Sequence, residues 1–319
     1  MGPDPPRIVS LLASGTEIVC ALGLRRSLVG ISHECDFPSD IRGLPILTAP
    51  RIDPRASSEA IDRGVRERLT AGLSLYEIFA TRLRDLAPDL IVTQDQCDVC
   101  AVSLGQVEKE IRGLLGKECR VVSLSPHTLE EALNDVLRVA EAAGAPQAGS
   151  RVRAELRARL NRLASRANCS AGHLERRPRV LCLEWLDPPF LSGHWMPELV
   201  EAAGGDPAGA RETAKSARAA WEDVAAADPD VIILLPCGFD LERTLAEAPA
   251  ALARPGMRAT TAFRTGQVWA VDGNAYFNRS GPRLVESAEI LAAILHPQTF
   301  GSPPPGTAQR LKEPSCAQS

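Results

Sequence analysis

Apolar residues in the first part of the chain come in short runs, near Ile8–Leu12, Leu28–Ser32, Leu90–Thr93 and Val121–Leu124. They are too brief for buried helices and are bounded by turn residues, so each predicts a strand. Between them lie stretches with helical spacing, such as Leu104–Leu115. This alternation predicts βαβ units around a mostly parallel sheet. After the first strand, Ser14 and Glu17 stand at capping-box spacing, Ile18 to Leu22 continue as helix, and Gly23 falls where a helix C-cap glycine belongs.

From Thr128 to Asn168 the period changes. Leu129, Leu133, Val136, Leu137 and Ala140, then Val152, Leu156, Leu160 and Leu163, recur at helical spacing, broken only by "GAPQAG". Two consecutive helices are expected, the second from about Pro146 to Ala167, with Arg residues on a solvated face. Beyond "NCSAGHLERRP" the strand pattern returns in "RVLCLEWL", "DVIILLPCGF" and "GQVWAVDG", closing with a helix over Leu284–Leu295. The expected organisation is an N-terminal α/β lobe (7–127), a helix pair (128–168), a C-terminal α/β lobe (178–297) and a disordered Pro/Ser-rich tail (298–319).

The two lobes look alike. "LSLYEIFATRLRDLAPDLIVTQDQC" parallels "RAAWEDVAAADPDVIILLPC", so that Cys97 follows Asp89 by eight positions and Cys237 follows Asp230 by seven. Ligands of open parallel sheets bind at the carboxyl ends of the strands. The two thiols are therefore expected at matching places in the two lobes.

Composition narrows the function. The 319 residues carry a net charge of −4 with scattered basic residues, which gives no footprint for nucleic acid. No window reaches the roughly 18 apolar residues of a membrane span. The first residues contain no signal-peptide pattern, and nine cysteines fit a reducing compartment. The expected location is cytoplasmic, or periplasmic if the true start lies upstream. G-x-S-x-G, G-x-x-x-x-G-K-[ST] and G-x-G-x-x-G are all absent from the sequence, so an enzyme is not expected.

Four segments carry candidate chemistry. "SHECDFP" after the second strand presents His33, Glu34 and Cys35 on a loop. "TQDQCDVC" places Cys97 and Cys100 at a spacing that suits one metal, and with Cys35 and Cys237 it supplies a four-thiolate set for zinc or an iron–sulfur cluster. "EWLDPPFLSGHWMPELVEAAGG" gathers Trp185, Phe190, His194 and Trp195 around a Pro-Pro turn; aromatic faces of this kind hold flat apolar ligands, while one tryptophan is equally suited to plug the core. "VDGNAYFNRSGPR" adds Asn274 and Tyr276. Glu17, Glu59, Glu77 and Glu222 read as cap or surface residues, and His127, His173 and His296 show no partner pattern.

Taken together, "RIVSLLASGTEIVCALGLRRSLVGIS", "APDLIVTQ", "VVSLSPHTLEEALNDVLRVAEAAG" and "PDVIILLPCGFD" resemble the periplasmic binding proteins for iron-siderophores, haem and vitamin B12, over about residues 7–297. "SHECDFP", "TQDQCDVC", the Trp-rich stretch and "PCGFD" look like the cobalamin-binding branch. The resemblance implies two Rossmann-like lobes joined by a single long backbone helix, with a ligand cleft between the lobes. It also implies a monomer that binds cobalamin or a related corrinoid or metal chelate and hands it to an ABC transporter permease. His33, Glu34, Trp185, Phe190, His194, Trp195, Asn274 and Tyr276 are the expected ligand contacts, with His33, His194 or a thiolate available as an axial ligand to cobalt. The sequence departs from the family's usual members in lacking a signal peptide and a lipid-anchoring cysteine near its start. The alternative reading is a cytoplasmic metal or iron–sulfur protein on the same scaffold, using Cys35, Cys97, Cys100 and Cys237.

Overall fold

A computed structural model describes residues 5–71, 73–94, 119–172, 174–209 and 215–311. The chain is α/β and divides into two compact units. One comprises residues 1–56, 60–126 and 130–157, the other 57–59, 127–129 and 158–319. The division falls inside the long helix Pro146–Ala171 rather than at its ends. That helix runs four residues beyond the expected Ala167, to a length of about 39 Å at 1.5 Å per residue. Helix Leu129–Ala142 precedes it, as the spacing predicts.

In the first unit, strands β1 (Ile8–Ser10), β2 (Leu28–Ile31), β5 (Leu90–Gln94) and β6 (Arg120–Leu124) form a parallel sheet in the order β2-β1-β5-β6. A small antiparallel pair, β3 (Thr48–Pro50) and β4 (Tyr76–Ile78), packs through Leu47, Tyr76 and Ile78 into the same core as Val9, Leu11 and Ile91. Helix Ala13–Ala21 follows β1 and ends on Gly23 at φ +79°, where the missing Cβ permits the left-handed turn. The capping box does not form. Leu12 stands at the N-cap in extended conformation, Ser14 lies inside the helix, and Glu17 is only 3% exposed rather than at the surface. The expected helix over Leu104–Leu115 lies outside the described residues.

In the second unit, β7 (Arg179–Leu186), β8 (Pro189–Leu191), β9 (Asp206–Pro207), β10 (Ala217–Arg218), β11 (Val231–Leu234), β12 (Val268–Val271) and β13 (Ala308–Arg310) form one mixed sheet. Its parallel centre is β7-β11-β12. Leu181, Leu183, Ile232, Leu234 and Val268 bury one face of that centre against Val224, Ala248 and Met257.

The last strand corrects the expectation of a disordered tail from residue 298. Pro297–Phe300 is a helical turn, and Ala308–Arg310 pairs antiparallel with β12. Thr307 folds onto Pro304 through its amide and hydroxyl, which aims the chain at the open edge of β12. Composition reads apolar content, whereas this segment is held by main-chain pairing with an edge strand.

The internal likeness has a precise structural basis. Ala87 (φ 40°) and Asp228 (φ 35°) both adopt the left-handed conformation just before the Pro-Asp that opens β5 or β11. In each unit the next aspartate then grips the strand beside it: Asp89 Oδ2 accepts from Arg7 N at 2.7 Å and Asp230 Oδ2 from Arg179 N at 2.7 Å. The same clamp thus sets the parallel register of β1 with β5 and of β7 with β11.

One buried acid stands out in the first unit. Asp135, 2% exposed on helix Leu129–Ala142, pairs with Arg138 through Oδ1 at 2.9 Å, while its Oδ2 has no hydrogen-bond partner among the described residues. Burial raises its pKa to about 6, against the opposing pull of Arg138. The folded state therefore prefers the protonated form, and stability falls as pH rises from about 4 through 6. Asp135→Asn, a neutral isostere, is expected to raise stability at pH 8 by up to about 3 kcal/mol, with most of the gain gone at pH 4. Urea melts at the two pH values check this; an equal effect at both would contradict the burial argument.

Candidate functional site

The carboxyl ends of the central strands of the second unit converge on one edge. After β11 the chain turns through Pro236, Cys237 and Phe239, and Cys237 N donates to Glu184 O of β7 at 3.0 Å. After β12, residues Gly273–Phe277 make a single turn of π-helix, a rare form found often at functional sites. Asp272 caps it by accepting from Ala275 N at 2.7 Å. The two loops are then stitched together: Asn274 N donates to Phe239 O at 2.9 Å, and the Asn278 amide reaches Leu235 O at 3.1 Å and Pro236 O at 3.2 Å. Gly273 sits where a Cβ would lie 2.7 Å from Pro236 O and 2.9 Å from Leu235 C, so only glycine lets the backbones approach this closely.

This turn displays Asn274 and Tyr276. Ser287 Oγ donates to Tyr276 O at 2.7 Å, and the Arg283 guanidinium lies 5.4 Å from the centre of the Tyr276 ring. Arg279 donates to Asn274 Oδ1 at 3.2 Å. Arg279 and Arg283 are 7% and 8% exposed. They were missed in the sequence because arginine in a polar loop is ordinarily a surface residue. Burial raises the Asp272 carboxyl's pKa, Asp240 adds to the rise, and the two arginines oppose it.

The Trp-rich stretch separates into two roles. Trp185 lies at the end of β7, half-buried, in register with Phe190 on β8 and 5.3 Å from the Phe239 ring. Its indole N–H donates to Ser58 O at 3.2 Å, and Arg243 stacks on Phe239 at 3.6 Å. The Pro-Pro turn joins β7 to β8 through a cis Asp187–Pro188 bond. Trp195 instead is 7% exposed, and its indole N–H donates to Phe277 O at 3.0 Å, so it supports the π-helical turn from beneath.

His194, left-handed at φ 53°, meets His127, with 3.3 Å between the two Nδ1 atoms and ring planes 20° apart. Burial lowers the His194 pKa to about 4, helped by the charges of His127 and Lys215. His127, given no partner by its sequence context, thus has one 67 residues away.

In the first unit, His33 and Glu34 follow β2. His33 takes two contacts from one side chain: its backbone N donates to Thr48 Oγ1 at 3.1 Å, and its Nδ1 lies 2.7 Å from the same oxygen. The ring centre lies 5.6 Å from that of Tyr76, and Nε2 is 4.0 Å from Glu34 Oε1. Burial lowers its pKa to about 4, which keeps the imidazole neutral near pH 7. Glu34 N is bonded by Ser32 Oγ at 3.1 Å. Cys35 is buried, with Sγ 3.0 Å from Thr16 Oγ1.

Cys97 and Cys100 lie outside the described residues, so the four-cysteine set is represented by Cys35 in one unit and Cys237 in the other. Among the described residues, no three His, Cys, Asp or Glu side chains are grouped to hold a metal ion.

The carboxyl edges of the two α/β units thus carry aromatic, amide and imidazole groups, each described within its own unit. The chain belongs to the periplasmic binding protein family, whose model matches residues 8–275. It is 23% identical to YvrC, an ABC transporter substrate-binding lipoprotein of Bacillus subtilis, over 93% of this chain and 82% of that one. The periplasmic haem-binding protein RhuT of Roseiflexus sp. RS-1 superposes with a TM-score of 0.64 and 25% identity, over 91% of this chain and 98% of that one. The periplasmic vitamin B12 binding protein BtuF of Vibrio cholerae does so with a TM-score of 0.64 and 21% identity, over 91% and 97%.

These matches overturn the cytoplasmic expectation. The family is periplasmic and the curated relative a lipoprotein. The lack of a leader in the first residues was too slight a basis, because an N-terminal segment says nothing of what precedes it.

Proposed function

We propose that the protein is the substrate-binding component of an ABC importer for a tetrapyrrole-type metal chelate, cobalamin or a related corrinoid. The observation that carries this reading is the carboxyl edge of the second unit, where the half-buried Trp185, paired with Phe190, meets Phe239, whose carbonyl accepts from Asn274 N of the π-helical turn bearing Asn274 and Tyr276. Aromatic faces suit a flat macrocycle, and the amide and phenol suit its polar side chains. Buried Arg279 and Arg283 fix that turn and place positive charge behind it. In the first unit His33 and Glu34 are the proposed contacts. Burial lowers the His33 pKa to about 4, so its imidazole is neutral near pH 7, and Thr48 Oγ1 at 2.7 Å from Nδ1 orients the ring. The iron–sulfur alternative has no supporting observation among the described residues, since buried Cys35 is engaged by Thr16.

RhuT, a haem-binding protein, keeps haem within the same chemical class as a candidate. Parallel absorbance titrations with hydroxocobalamin and haemin separate the two. Saturable one-to-one binding of the corrinoid supports the proposal, binding of haemin alone moves the substrate to iron porphyrins, and binding of neither contradicts the proposal.

A further inference from the structure

His127 and His194 are absorbed neither by the fold nor fully by the ligand reading. His127 lies just before helix Leu129–Ala142, and His194 just before helix Met196–Ala202. Both belong to the second unit by their contacts. Their Nδ1 atoms lie 3.3 Å apart, and the ring planes are near-parallel, 20° apart with centroids 5.5 Å apart. That separation exceeds the usual N–H donor distance of about 2.9–3.0 Å. It matches the roughly 3.3–3.4 Å between two nitrogens bound tetrahedrally at about 2.0–2.1 Å to one zinc ion.

We propose that His127 and His194 hold one divalent transition-metal ion between their Nδ1 atoms, leaving its other coordination positions to solvent or an exogenous ligand. Lys215 acts on His194 as a positive charge and opposes every cation alike, so the donor type selects the ion. Neutral imidazoles suit Zn²⁺, Ni²⁺ and Cu²⁺. Glu198, one turn after His194, is engaged with Leu129 N through Oε2 and so braces the segment carrying His127. Without metal, one ring must offer Nδ1–H to the other; loading moves that proton to Nε2 through solvent and frees both lone pairs. Bound metal would tie His127 to His194 within the second unit, which would gain stability with metal concentration.

The test uses chelator-treated, tag-free full-length protein and metal salts alone, so it is independent of corrinoid binding. Isothermal titration with NiCl₂ and ZnCl₂ is expected to find one site per chain that is absent with MgCl₂, together with a metal-dependent rise in Tm. His127→Gln and His194→Gln should each weaken that site at least tenfold. Nitrogen-detected imidazole NMR of the wild-type protein gives a second readout: Zn²⁺ should shift Nδ1 of both histidines and place both protons on Nε2. Binding that persists unchanged in either folded variant, an absence of saturable binding, or unperturbed Nδ1 resonances would overturn the proposal.

Discussion

Trp195→Ala is expected to destabilise the second unit by about 3–5 kcal/mol, the cost of removing a large aromatic side chain from a packed interior. The side chain is 7% exposed and its N–H meets Phe277 O at 3.0 Å. Two losses therefore combine: a cavity beneath the π-helical turn, and an unpaired carbonyl at the end of that turn. Trp195→Phe fills most of the volume but leaves the carbonyl unpaired, so it should recover more than half of the stability. Urea melts of the two variants check this. Equal and small effects would mean that Trp195 does not support the turn.

Trp185→Ala has the opposite profile. Trp185 is half-buried at the carboxyl end of β7, beside Phe190 and Phe239. Its removal is expected to weaken corrinoid binding by about 10- to 100-fold, the range for a buried aromatic anchor at a binding surface. Part of the side chain contacts solvent, and the lost bond to Ser58 O is one neutral hydrogen bond, so the stability loss should be smaller than for Trp195→Ala. Binding titrations and melts on the same preparations separate the two tryptophans. Unchanged affinity in Trp185→Ala would remove it from the ligand site.

Much of the architecture was legible because its causes are local or repeated. The "APD" and "ADPD" connections announced two related units, and the structure gives the reason: a left-handed residue, a proline, and an aspartate that grips the neighbouring strand. Gly23 was readable as a helix stop because few other residues accept φ +79°. The Trp-rich segment was readable as important, but the division of labour between Trp185 and Trp195 was not. Trp185 stays half-buried at the end of β7, whereas Trp195, at the start of helix Met196–Ala202, goes under a turn 82 residues away. Features that rest on distant partners were illegible for the same reason. His127 acquires His194, β13 acquires the edge of β12, and Arg279 and Arg283 acquire burial only when the turn after β12 folds over them. The capping box between Ser14 and Glu17 failed because the helix begins at Ala13, earlier than the motif requires.

Corrinoid binding by this member of the periplasmic binding protein family is the central proposal. The most direct measurement is the visible spectrum of the purified protein after incubation with hydroxocobalamin and desalting. The account predicts corrinoid bands retained at one equivalent per chain and reduced in Trp185→Ala. A desalted protein free of corrinoid bands, with affinity only for haemin or an iron chelate, would contradict it.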